Sequence, residues 1–128
     1  MLEDLFGKKI TKVAPRYKSF YENRIKKLSK EEYDAAVDYI CQLIETKTDN
    51  GFFQPGWNAG SDWSGTPLQA LYEKGCDCNA EEASYLYGLL VKEVFINHID
   101  EEWIVIKQEM PGRDFEQNNY MKKSKKNR

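Results

Sequence analysis

Apolar residues recur at spacings of three and four along most of this chain, and alternate in only one short stretch. From Arg16 a stripe of Tyr17, Phe20, Tyr21, Ile25 and Leu28 predicts a helix over 17–28. "SKEE" follows, in which Ser29 and Glu32 form a capping box. The stripe behind it, Tyr33, Ala36, Val37, Ile40, Leu43 and Ile44, predicts a helix over 30–47, with Gly51 as a stop. Thr66, Pro67 and Gln69 read as a third start. That helix, 67–74, should bury Leu68, Leu71 and Tyr72 and end at a left-handed Gly75. Asn79 and Glu82 open the strongest pattern, Ala83, Leu86, Tyr87, Leu90, Val91, Val94, Phe95 and His98, so 80–98 is the expected central helix. Gly88 inside it implies a close approach by another helix or ring.

Strands are harder to place. "WIVIKQE" at 103–109 tolerates a period of two and reads as a strand, with 9–13 or 51–54 as partner. "LEDLFGKK" reads as a short helix and "KKITKV" as a strand. The fold class expected is therefore α+β and mainly helical. It is a compact single domain of three to four helices with an aromatic-rich loop and one short strand region near the C-terminus. Residues 1–111 form the domain, and 112–128 a polar basic tail expected to be disordered at its end.

Composition adds charge segregation. The formal net charge is only −2, yet residues 1–30 carry nine Lys/Arg against three Asp/Glu, residues 31–110 four against sixteen, and residues 111–128 six against two. Basic ends flanking an acidic centre can neutralise each other within one chain or between copies. They can also serve nucleic acid, through Lys8, Lys9, Lys12, Arg16, Lys18, Arg24, Lys26 and Lys27, although the acidic centre disfavours that reading. No apolar run reaches the ~20 residues of a bilayer span. The N-terminus lacks the basic and apolar blocks of a signal peptide. A cytoplasmic chain with no membrane contact is expected, and the three cysteines should be reduced.

Candidate chemistry is sparse. Cys41, Cys76, Cys78 and His98 total four soft ligands. Helix 80–98 would hold Cys76 and Cys78 roughly 27–30 Å from His98, too far for one tetrahedral zinc. The same distance weakens a Cys–His nucleophile pair. Cys78, close to a helix start, retains some scope for reactivity. No phosphate-binding, dinucleotide, metalloprotease or nucleophile-elbow motif occurs. No catalytic residue, metal or cofactor is assigned.

The stretch "GFFQPGWNAGSDWSGTP", 51–67, is the distinctive one. A loop this long with four aromatic rings must bury most of them. Either its rings complete the core, or some of them form a binding surface of Phe53, Trp57, Asp62, Trp63, Gln69 and Tyr72. In the first role Asp62 bonds the turn backbone, and in the second it fixes a ligand. Three functions follow. The first is a non-catalytic binding or regulatory protein engaging a protein partner, or its own copy, through this loop and the acidic centre. The second is a small-molecule binder or enzyme with a pocket beside Trp57, Asp62 and Trp63. The third is a nucleic-acid accessory protein.

Overall fold

The computed structural model describes residues 1–13, 15–56, 62–108 and 117–123. Their order is β1 (Leu2–Glu3), β2 (Lys9–Ile10), a 3-10 turn (Pro15–Tyr17), α1 (Lys18–Ile25), α2 (Lys30–Lys47) and β3 (Phe52–Phe53). A π-helical segment (Leu71–Gly75), α3 (Ala80–Asn97), β4 (Trp103–Gln108) and β5 (Gln117–Lys122) follow. The result is a small α+β domain with a five-stranded mixed sheet, ordered β2-β1-β4-β5-β3. Only β1 and β4 run parallel; the other three pairings are antiparallel.

Helices α1, α2 and α3 sit where the periodicity predicts; the helix expected over 67–74 instead begins as turns at Pro67 and Leu68 and runs into the π-helical segment. Ser29 Oγ accepts from the Glu32 amide at 3.1 Å, and the Glu32 carboxylate accepts from the Ser29 amide at 2.9 Å. Asn79 Oδ1 accepts from the Glu82 amide at 3.0 Å to start α3. Helix α1 is shorter than its stripe: beyond Ile25 the chain tightens into turns that still bring Leu28 into the core. Helix α3 is the spine. Ala83, Leu86, Tyr87, Leu89, Leu90, Val91, Val94 and Phe95 on it are all buried.

The sheet is more substantial than expected, so "mainly helical" holds only roughly. Leu2–Glu3 is a strand, not a helix, because it pairs with both Ile10–Lys9 and Trp103–Ile104. Between β1 and β2 the chain reverses through Asp4–Lys8. "TDNG" makes a second tight reversal: Asp49 and Phe52 exchange both backbone bonds at 2.9 Å around Asn50 (φ 52) and Gly51 (φ 79). Two successive left-handed residues are the signature of a type I′ hairpin turn, so Gly51 turns a hairpin rather than ending a helix.

Neither 9–13 nor 51–54 lies beside β4. Its neighbours are β1 and β5, with Val105 opposite Tyr120 and Gln108 opposite Gln117. Strand β5 lies within the stretch expected as a polar tail, so the domain extends past residue 111 to this strand. Residues 112–116 and 124–128 lie outside the described residues.

One face of the sheet packs on α3. Leu2, Phe53, Trp103, Val105 and Tyr120 are all buried. Phe95 is their hub: its ring stacks on Tyr120 (4.1 Å, 17°) and meets Trp103 at 4.9 Å and Phe53 at 6.1 Å. Rings at these separations add to the area they bury.

Both glycine expectations are corrected. Gly75 has no left-handed φ; instead a Cβ there would come within 2.9 Å of Leu86 Cδ2. The left-handed residues that end the π-helical segment are Asp77 (φ 49) and Cys78 (φ 65), and the Cys78 amide closes on the Tyr72 carbonyl at 2.8 Å. A Cβ on Gly88 would meet nothing within 4 Å, so no close approach explains it.

A candidate binding groove beside a three-helix junction

Tyr21 on α1, Tyr33 on α2 and Glu93 on α3 converge. The Tyr21 hydroxyl donates to Glu93 Oε1 and the Tyr33 hydroxyl to Oε2, so one carboxylate joins three helices. Burial first, and the bond to Glu93 next, push both phenols well above the ordinary tyrosine range. Hydrogen bonds to an ionised acceptor are the stronger kind.

Beside this junction lies an open groove of ≈ 490 Å³, formed by the segment Thr11–Val13, by α1 and by the last turns of α3. Val13 and Ile96 supply apolar wall, Tyr21 and Glu93 the interior end, and Lys12, Lys18, Glu22 and Asn97 the polar lining. Lys12, Lys18 and Glu22 make no ion pair within the described residues. The size falls in the range of ordinary ligand sites. The groove presents two cations and two carboxylates around a partly apolar wall, a lining that suits a ligand carrying both signs of charge.

Sequence reasoning did not single out this site. It took Tyr21 and Tyr33 as stripe positions, and Glu93 as a helix residue without a role. A signal existed: buried tyrosine hydroxyls need acceptors, and Glu93 falls three after Leu90 and seven after Leu86, at apolar spacing.

The loop residues are dispersed. Phe53 is fully buried beneath Phe95. Trp57 lies outside the described residues. Asp62 is exposed and its Oδ1 accepts from the Ser64 amide at 3.0 Å, which holds its carboxyl below the usual aspartate range. Trp63 is half-buried, its ring 5.5 Å from that of Tyr87, whose hydroxyl donates to the Pro55 carbonyl at 2.9 Å. Thr66 N–H and Oγ1–H both donate to the Trp63 carbonyl, at 3.0 and 2.8 Å. Gln69 and Tyr72 are half-buried, and Tyr72 packs on the core. Of the described loop rings, Phe53 and Trp63 turn inward, and polar groups secure the turns.

The cysteines are free: Cys76 is buried, Cys41 half-buried and Cys78 exposed. Burial, with Glu82 adding, pushes the Cys76 thiol up to about 11, the direction opposite to an activated nucleophile. His98 is exposed at the end of α3. No cluster of three or more metal-ligating side chains occurs among the described residues, and no described helix is long and apolar enough to cross a membrane. Comparison with protein-family models, with curated proteins and with solved structures gives no match.

Proposed function

We propose that this α+β domain is a non-catalytic binding protein, and that it takes a short extended segment of a protein partner into the groove between Thr11–Val13, α1 and α3. The observation that carries this reading is the unneutralised lining: Lys12, Lys18 and Glu22 stand beside the apolar Val13 and Ile96 in a groove of ≈ 490 Å³. A peptide bearing a basic residue for Glu22 and Glu93, and an acidic one for Lys12 and Lys18, would complete four charges and cover the wall. Catalysis is not part of the proposal, because each oxygen of Glu93 is already held by a phenol. The contact is proposed here rather than on the 51–67 loop, where Phe53 and Trp63 pack on the core.

The test is fluorescence anisotropy with pools of labelled extended nonapeptides graded by charge pattern. Pools containing both signs should bind best to the wild type. Glu22→Lys and Ile96→Glu should each weaken them tenfold or more with unchanged circular dichroism. If Trp63→Ala removes binding while the groove variants retain it, the contact belongs to the aromatic loop and the groove reading is lost. If no pool binds, the peptide reading is lost as well.

A further inference from the structure

The β1–β2 hairpin carries an exposed apolar tip. Phe6 is 95% exposed and Leu5 63%, the most exposed of the large apolar side chains described. This is not a frayed end. Asp4 Oδ1 accepts from the amides of Phe6 and Lys8, both at 2.9 Å; the Gly7 amide donates to the Asp4 carbonyl at 3.1 Å; and the Asp4 amide donates to the Lys8 carbonyl at 2.9 Å. Gly7 takes the left-handed φ of 82° that this reversal demands. Strand β1 then anchors the hairpin through its parallel pairing with β4. A fixed turn thus holds an aromatic and an aliphatic side chain out in solvent, where neither stabilises the fold.

The charge around the tip has one sign left over. Lys8 and Lys9 are exposed and make no ion pair within the described residues. Glu3, opposite Lys9 across the strands, is already paired with Lys123 at 3.2 Å; the Asp4 carboxylate accepts from the turn amides but keeps its charge, so Lys8 and Lys9 together outweigh it. We propose that the hairpin is a peripheral contact for an anionic lipid surface. Phe6 and Leu5 enter the boundary between headgroups and chains, where aromatic rings are favoured, and Lys8 and Lys9 face the headgroups. The expectation of no membrane contact rested on the lack of a spanning segment, which leaves surface binding open. Charge favours lipid over an apolar pocket on a protein: each lysine at an anionic surface is worth about fivefold in partitioning.

Co-sedimentation of the full chain with vesicles of 30% phosphatidylserine in phosphatidylcholine tests this at 50 mM salt, beside pure phosphatidylcholine. Wild type should pellet with the anionic vesicles, little with the neutral ones, and be released at 0.5 M salt. Phe6→Ser should bind at least fivefold more weakly. Lys8→Glu/Lys9→Glu should bind at least tenfold more weakly. These side chains are solvent-exposed, so circular dichroism and Tm should match wild type. Wild type left in the supernatant, or Phe6→Ser pelleting as well as wild type, overturns the proposal and returns the tip to a protein contact. Equal binding to neutral vesicles overturns the role of the lysines.

Discussion

At the scale of single residues, two glycines show how little of a side chain's setting is visible in a pattern. Gly88 lies in the interior of α3 with open space where a methyl would go. Gly88→Ala should therefore stabilise the protein by about 1 kcal/mol, the helix-propensity difference. An increased urea midpoint at constant m-value would show it, and an unchanged or lowered midpoint would contradict the open space. At Gly75 the Cβ would collide with Leu86, so Gly75→Ala should cost about 1–3 kcal/mol by overpacking. Sequence reasoning gave Gly75 a left-handed stop and placed the close approach at Gly88 instead. Propensity and spacing name a residue's element, but the distance to Leu86 belongs to the packing of α3 against a neighbouring turn.

Tyrosines supply a second prediction at this scale. Tyr21, Tyr87 and Tyr120 are all buried, and burial raises each phenol above its ordinary pKa. In the unfolded chain they titrate near 10. Raised folded values mean their contribution is complete below pH 10 and is lost as pH rises further. Each should lower unfolding free energy by roughly 1.4 kcal/mol per pH unit above 10. Urea titrations at pH 9, 10 and 11 should show a falling midpoint, with the share of phenolate absorbance near 295 nm that belongs to these three appearing only at unfolding. Full ionisation of every tyrosine while the fold persists would contradict the burial.

At the scale of elements, the long helices and strand β4 were legible, and the pairing of the sheet, with β1 and β5, was not. Capping and stripe agree along α2 and α3, so local and tertiary signals point the same way. Strand β5 reads QNNYMK, three amides and a lysine around Tyr120 and Met121. Asparagine disfavours strands, and only the pairing with β4 makes this segment one. The candidate groove was illegible for a related reason: it draws Lys12, Tyr21 and Glu93 from a connecting segment and two helices whose juxtaposition no spacing records. Removing residues 112–128 is consequently not the harmless trim that a tail would allow. It deletes Tyr120, which fills the core against Phe95 and Val105, and leaves β4 with an unpaired edge. The truncated chain should lose near-UV circular dichroism and cooperative melting. Tyr120→Ala in the full chain should cost about 3–5 kcal/mol. A cooperative, wild-type melt of the truncation would remove β5 from the fold.

At the scale of the whole molecule, the segregated charge finds its counterpart within one chain. Arg24 reaches Glu82 at 3.0 Å and Lys27 reaches Asp77 at 3.4 Å, joining the basic N-terminal segment to the acidic centre. Lys122 pairs with Glu101 at 2.7 Å, and Lys123 with Glu3 at 3.2 Å and Glu102 at 3.6 Å, so β5 returns the basic C-terminus to acids on its own sheet. Exposed pairs of this kind contribute only about 0–1 kcal/mol each, so they do not hold the domain together. Their effect is on the external field. Acid and base that cancel within the fold reduce the complementary charge left to drive copies together, although Lys8, Lys9, Lys12 and Lys18 stay unpaired among the described residues, and they take Arg24 and Lys27 away from any nucleic-acid surface. Sedimentation velocity should therefore give one monomeric species at both 20 mM and 500 mM salt. Raising salt should lower Tm by only a few degrees, since the screened pairs are weak and many other contacts remain. A dimer at 20 mM salt that dissociates at 500 mM would mean that the ends neutralise each other between copies. The partner for the acidic centre would then be a second molecule of this chain rather than its own basic termini.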